Sequence, residues 1–271
     1  MPWPRFVDAH VHLKQAAGLA SLRAAGIVAA RDAGMREPTA PIHPDAGDTR
    51  APAIISARWA LYKTGGYGSL FGVAVETREE IKTQILRLKN AGADIIKVMA
   101  SGMVSIKEPG TVTSGGFNRN ELRFIVEEAA ALGLGVMAHA NGEAAIIDAA
   151  AVGARSIEHG FFMSEQALDV MAETGAFWTP TVGALARAAG ADRTNEEAKD
   201  YIARLIQSHI VMLGRADRMG VPLAVGTDYV LPDPGYEAAY RMELLFFEQA
   251  GIPRERVITI ACENGARLLG I

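Results

Sequence analysis

The chain lacks most of what would take it out of an ordinary aqueous, reducing compartment. It has one cysteine, Cys262, in 271 residues. A lone thiol makes no internal disulfide, so a secreted disulfide framework is excluded. No apolar run approaches the roughly 18 residues that a spanning helix needs. The opening Met1-Pro2-Trp3-Pro4-Arg5 has no apolar stretch of the signal-peptide kind. The expected location is cytoplasmic, with no membrane partner. Basic charge is also in short supply: 27 Lys and Arg stand against 31 Asp and Glu, a net charge of −4. Nucleic acid is therefore not an expected partner, because nothing in the balance offsets a phosphate backbone. Low-complexity tracts and short repeats are missing too. With 49% apolar residues the chain is too hydrophobic for disorder to be its main state.

What is present is an alternation. Short apolar runs recur at Phe6 to Ala9, Ile27 to Ala30, Ala53 to Ser56, Asp94 to Met99, Gly135 to Ala138, Ser156 to Ile157, Phe177 to Thr179 and Leu223 to Val225. Helical patterns lie between most of them. Thr77-Arg78-Glu79-Glu80 is a capping box, with Ile81, Ile85 and Leu88 following on one face. Asn118 to Glu121 repeats it, with Gly133 as a stop. Ser164 caps a helix ending at Gly175. Further helices are predicted from about Asn195 to Met219, Glu237 to Gln249 and Arg254 to Leu269. Strands alternating with helices pair in parallel through right-handed crossovers. Eight such units predict an α/β, (β/α)8 TIM-like barrel as a single domain over residues 1–271.

Chemistry in such a barrel sits at the C-terminal ends of the strands. The first run ends Asp8-Ala9-His10-Val11-His12, and the fourth carries Lys97. The fifth ends in His139, the sixth in Glu158-His159 and the eighth in Thr227-Asp228. Residues i and i+2 of a strand share a face, so His10 and His12 can aim at one point. Imidazoles with a carboxylate suit zinc, manganese, iron or cobalt, zinc being the default.

Several segments together resemble the amidohydrolase superfamily, in its imidazolonepropionase-like and Xaa-Pro dipeptidase (prolidase-like) branch. The opening Phe6-Val7-Asp8-Ala9-His10-Val11-His12 carries the resemblance first. It continues through Ala30-Arg31-Asp32-Ala33-Gly34, Thr64-Gly65-Gly66-Tyr67-Gly68 and Ala91 to Lys97. Ala138-His139-Ala140-Asn141-Gly142, Ser156 to Gly160, Gly226-Thr227-Asp228 and Asn264 to Gly270 complete it. The resemblance implies two divalent metal ions. His10, His12 and Asp228 would bind the first, and His139 and His159 the second. Lys97, carboxylated by CO2, would bridge them. Asp228 would also be the catalytic base, serving a metal-activated hydroxide that cleaves an amide in a dipeptide, an N-acyl amino acid or a cyclic amide. The branch often has histidine where Tyr67 and Asn141 stand, which bears on substrate choice. Relatives usually add a small β-sandwich from both chain ends. Its expected absence would leave a barrel flank open to a second subunit, hence a possible homo-oligomer.

Other readings stay beside this one. A deaminase on the same scaffold would use a glutamate near Glu143, and a lactonase or phosphotriesterase would use the same metal pair. A barrel kept for binding alone would have no reason to hold six metal-type groups at one rim. Arg58, Tyr67, Met103, Asn141 and Tyr229 are candidate contacts for a small-molecule substrate. Arg31 and Asp32 suit a rim salt bridge or substrate contact equally. Strand alternation gives Glu158 a structural part. His43 reads as a surface residue in a proline-bound loop, His209 as a packing residue and Cys262 as core.

Overall fold

A computed structural model describes residues 5–36, 51–190 and 195–271; His43 lies outside them. Among the described residues the strands are, in order, β1 (Phe6–Leu13), β2 (Ile27–Asp32), β3 (Ala53–Ser56), β4 (Ala60–Lys63), β5 (Gly72–Val75), β6 (Ile95–Met99), β7 (Gly135–Ala140), β8 (Ser156–His159), β9 (Phe177–Thr179) and β10 (Tyr229–Leu231). Every pairing between them is parallel. One sheet runs β10-β1-β2-β3 and the other β5-β4-β6-β7-β8-β9.

Backbone hydrogen bonds join the two sheets into a ring. Between β3 and β6, the Asp94 N–H donates to the Ser56 carbonyl at 2.9 Å. On the far side the segment 222–225 forms the eighth stave. It meets β9 through a parallel bridge of Trp178 with Leu223. The Trp178 N–H donates to Pro222 O and the Ala224 N–H to Trp178 O, while the Ala9 N–H of β1 donates to Val225 O at 2.8 Å. The predicted eight-strand barrel is thus the observed architecture.

Two staves are less regular than the sequence pattern predicts. The third is split: β3 pairs with β2, whereas β4 pairs with β5 and β6. The chain turns between the halves at Arg58, whose φ is 62°. The eighth is interrupted after Val225 by Gly226 and by Asp228 at φ 51°, before β10 resumes beside the end of β1. Gly226 is required there: an added Cβ would lie 2.4 Å from Thr179 Cγ2 and 2.9 Å from His10 Cβ.

The helices wrap the ring. They are α1 (Ala17–Ala24), α2 (Arg78–Asn90), α3 (Arg119–Ala131), α4 (Glu143–Ala151), α5 (Glu165–Thr174), α6 (Val182–Ala189), α7 (Glu196–Met219), α8 (Tyr236–Gln249), α9 (Arg254–Thr259) and α10 (Gly265–Leu269), with one π turn (Ile260–Asn264) between the last two. Both capping boxes form: Thr77 accepts from Glu80 N–H, and Asn118 from Asn120 and Glu121. Asn195 caps α7, and Gly220 ends it in the left-handed region. Helix α2 buries Ile81, Ile85 and Leu88 against the ring, and α3 buries Leu122, Ile125 and Ala129. All five residues of β6 are buried, as expected for a strand covered on both faces. Among the described residues no helix is long and apolar enough to cross a membrane. Cys262 falls in the π turn and is only half-buried, not the core residue its apolar surroundings predict.

The reciprocal cap on α2 gives a direct test. Thr77→Ala removes the acceptor for Glu80 N–H, and unfolding in urea should show a loss of about 1 kcal/mol.

Candidate metal centre

The ends of β1 and of the eighth stave meet because Asp228 N–H donates to His10 O at 2.7 Å. This brings three side chains to one point. His12 Nε2 lies 3.1 Å from Asp228 Oδ1 and His10 Nε2 lies 3.4 Å from the same oxygen. One ligand atom from each of the three residues falls within 4.8 Å of the others.

The opposite ring nitrogens are fixed as well. His10 Nδ1 sits 2.7 Å from Glu158 Oε2, and His12 Nδ1 sits 2.7 Å from the Gly34 carbonyl. Each imidazole therefore faces an oxygen acceptor at both ends. Burial, helped by Lys97, pushes His10 down to about 4, so its ring is neutral near pH 7 and carries one N–H. That proton belongs to Nδ1, which donates to Glu158. The Nε2 lone pair is then aimed at a carboxylate oxygen. Two acceptors facing across 3.4 Å repel unless a cation lies between them. Outer partners that hold Nδ1 and leave Nε2 for an ion are how metal-ligating histidines are oriented. The donor set therefore fits a divalent ion.

His139 and His159 stand beside this trio. Their ring centroids are 4.5 Å apart, and His159 is 5.2 Å from His10. His159 Nδ1 meets Thr181 Oγ1 at 2.7 Å, leaving Nε2. His139 is turned the other way. Its Nε2 faces the Gly102 carbonyl at 3.0 Å, and Asn141 Nδ2 donates to that same carbonyl at 3.2 Å. Burial lowers His139 to about 3 and His159 well below its usual range, with neighbouring cationic groups adding to the effect. Both rings are neutral at neutral pH. Asp228 is pushed below the usual carboxylate range: burial opposes its ionisation, but positive charge on the surrounding His10, His12 and His159 rings outweighs it, a charge that a bound cation would supply while those rings are neutral.

Lys97 projects from the middle of β6. It is buried, and its Nζ has no hydrogen-bond partner among the described residues. Burial pulls it down to about 8, against the attraction of Glu158 and Asp228. A buried, unpartnered amine costs stability unless it becomes something else.

Beneath these groups lies a network that sequence reasoning placed only in part. Arg31 is fully buried inside the ring and does not form a rim salt bridge with Asp32. Its guanidinium donates to Ala9 O at 2.7 Å, Ser156 Oγ at 2.9 Å and Glu158 Oε1 at 2.8 Å. The Ser156 hydroxyl also donates to Glu158 Oε1. Burial opposes ionisation of Glu158, yet Arg31 and His10 hold it below its usual range. Glu158 is structural in the sense that it orients His10. Asp32 accepts instead from the Leu13 and Gly34 N–H groups and from Ser56 Oγ. The available signal was a charged residue inside each of two short apolar strands, which demands a buried partner. Asp8 was also missed. It accepts from His10 N–H, from the N–H and hydroxyl of Thr227 and from Tyr236 Oη, clamping both approaches to the centre.

Helix α6 supports the rim from the other side. Glu243 of α8 accepts from Val182 and Gly183 N–H at 2.8 and 2.7 Å, in the first turn of α6. Arg187 of α6 donates to the carbonyls of Thr227 at 2.9 Å and Asp228 at 3.1 Å, and lies 4.6 Å over the Tyr229 ring. His159, Thr181 and Asp228 all have positive φ, at 67°, 47° and 51°. Such values cost energy in non-glycine residues and cluster at functional sites.

A pocket of about 200 Å³ opens over the centre. Of the predicted substrate contacts, Tyr67, Met103 and Asn141 line it together with His139, His159 and Asp228. Arg58 and Tyr229 are not among its lining residues; Tyr229 Oη donates to Asp233. Glu143 starts α4 and is not in the lining either. His209 packs as predicted, stacked on Phe161 at 4.3 Å.

A family model describing the amidohydrolase family matches residues 3–271. The chain belongs to the amidohydrolase family. Ochratoxinase of Aspergillus niger is 28% identical to it over 255 residues, covering 83% of this chain and 51% of that protein. This family member thus spans about half the length of the curated relatives it matches. A crystal structure of a Xaa-Pro dipeptidase with methionine bound in the active site is 25% identical with a TM-score of 0.81, covering 99% of this chain and 75% of that one. A prolidase complexed with N-methylphosphonate-L-proline is 26% identical with a TM-score of 0.80, covering 98% and 74%.

The buried amine of this amidohydrolase-family chain has a testable thermodynamic signature. In protein stripped with a chelator, Lys97→Met should raise unfolding free energy by about 3 kcal/mol, since each pKa unit of depression is worth about 1.4 kcal/mol. The folded pKa, about 8, lies below the unfolded value of 10.5. The penalty is therefore complete below pH 8, and the gain from Lys97→Met should fade as pH rises toward 10.5. Denaturant unfolding of both proteins at pH 7 and pH 10 measures it.

Proposed function

We propose that the chain is a metal-dependent hydrolase of amide bonds. The observation that carries this is the meeting of His10 Nε2, His12 Nε2 and Asp228 Oδ1 with the outer nitrogens already engaged. Ochratoxinase and the Xaa-Pro dipeptidase support hydrolysis in general, and the dipeptidase supports an amide in particular.

His10, His12 and Asp228 would hold one divalent ion, and His139 and His159 a second, with zinc the default for this donor set. Lys97 would serve both as a carbamate. Its lowered pKa leaves a useful fraction of neutral amine, whose lone pair attacks the carbon of CO2. An N–C bond forms, a proton leaves to solvent and the product is an anion. That reaction would answer the orphaned Nζ and turn a cation into a ligand. Bound divalent ions supply Lewis acidity, activating water and polarising the scissile carbonyl.

The remaining work falls to the chain. Asp228 is ionised at neutral pH, so it would accept a proton from the attacking water and return it to the departing nitrogen. Its backbone is fixed on both sides, by His10 O and by Arg187. Glu158 keeps the His10 proton on Nδ1 through the reaction. Substrates in range are dipeptides, N-acyl amino acids and cyclic amides.

A paired measurement tests this. Protein loaded with zinc and bicarbonate is assayed on a panel of those amides, before and after chelation, beside Asp228→Asn. Turnover should depend on metal and fall at least about a hundredfold in Asp228→Asn. His43→Ala, in a segment assigned no part in the chemistry, should change nothing. Less than one equivalent of tightly held metal per chain, or equal losses in the two variants, would remove the reading.

A further inference from the structure

The pocket above the centre has walls unlike its floor. The floor is polar, with His139, His159 and Asp228. The walls carry Met103, Val104 and Ile106 from the loop after β6, Phe161 from the loop after β8, and Leu185 of α6. Among the described residues, no lysine or arginine lines it.

The walls are built in advance of any ligand. The loop after β6 folds back as a hairpin. Val104 bridges Val112 in antiparallel fashion, Thr113 N–H donates to Met103 O, and Ser105 N–H donates to Thr111 O. Gly110 N–H donates to Tyr201 Oη on α7, which ties the hairpin tip to the body of the protein. Across the pocket Phe161 and Leu185 pack with Ile202 and Leu205, and Val104 rests against that cluster. At the mouth Met103 is 46% exposed and Ile106 39% exposed. Water thus touches apolar side chains that a ligand could cover. A charged group seated there would lose hydration without gaining a partner.

We infer that the substrate carries a hydrophobic amino-acid side chain, seated between the hairpin and α6, and that Met103 and Leu185 select it. This rests on the hydrolase reading and narrows it from amides in general to amides of apolar amino acids.

Product-like probes test the pocket without turnover. Binding of L-phenylalanine, L-aspartate and L-lysine to zinc-loaded protein is measured by calorimetry. L-Phenylalanine should bind at least about tenfold more tightly than either charged amino acid, the scale on which apolar pockets discriminate. Leu185→Ala should weaken L-phenylalanine about tenfold. Met103→Asp should weaken it severalfold and strengthen L-lysine, with metal content unchanged. The Met103 side chain is open to water, so this variant decides the matter even if Leu185→Ala fails to fold. Equal affinities for the three probes, no binding of any, or unchanged L-phenylalanine binding in Met103→Asp would overturn the inference. The preference without hydrolysis of any amide would leave the pocket assignment standing and remove the hydrolase reading. Hydrolysis without the preference would do the reverse.

Discussion

Two imidazoles and a carboxylate meet at the barrel rim with oxygen already placed at the far end of each ring, and this crowding of acceptors governs the rest of the site. His10 cannot satisfy both Glu158 and Asp228 with the single proton it carries near neutrality. Protonating the ring fully is opposed by burial. Moving Asp228 away is opposed by the hydrogen bond from its own N–H to His10 O. A cation held by Nε2 and the carboxylate would resolve the conflict. The fold therefore holds an electrostatic imbalance that a bound cation would relieve, which distinguishes this candidate site from a chance cluster of polar groups.

The same logic runs deeper into the barrel. Arg31, Glu158 and Lys97 are all buried, and removing one partner from such a group leaves an uncompensated charge. Arg31 and Glu158 neutralise each other through a direct contact at 2.8 Å. Lys97 is the member whose amine makes no hydrogen bond among the described residues. A barrel selected for stability alone would place an apolar residue there, as it does at Ile96 and Val98 on either side. On the proposed reading, the cost of Lys97 would be borne by a site that uses an amine, and the cost of Arg31 by a site that holds His10 in one tautomer.

Much of the architecture was legible because the hydrophobic pattern repeats at the strand and helix periods. The eight apolar runs correspond to the eight staves, and the capping boxes at Thr77 and Asn118 start α2 and α3. His10 and His12 were legible as a same-face pair because the strand period is two. Chain geometry hid the rest. Arg31 and Glu158 are 127 positions apart, and their contact depends on ring closure, which no local pattern encodes. The left-handed backbone at His159 and Asp228 is signalled only weakly: histidine and aspartate enter that region more readily than most residues, and a glycine lies within two positions of each, but neither fact singles these positions out. Arg58 and Tyr229 were drawn to the site by their position after a strand, but strand ends also turn outward. The kink at Arg58 and the Asp233 contact of Tyr229 take both away from the pocket lining.

Helix α6 joins the two halves of the functional argument. It is only eight residues long, too short to be stable on its own. Glu243 supplies what it lacks, accepting from two of the first-turn N–H groups that no intrahelical carbonyl can reach. So anchored, it presents Leu185 to the pocket and sends Arg187 to the carbonyls of Thr227 and Asp228. Thr181, just before its first turn, meets His159. A ligand pressing on Leu185 therefore presses on the same rigid body that fixes Asp228 and His159. The apolar wall and the Asp228 carboxylate share one support. On the proposed reading, a substrate side chain that fits the wall would leave that support where the chemistry needs it, and one that displaced the helix would misplace the proposed base.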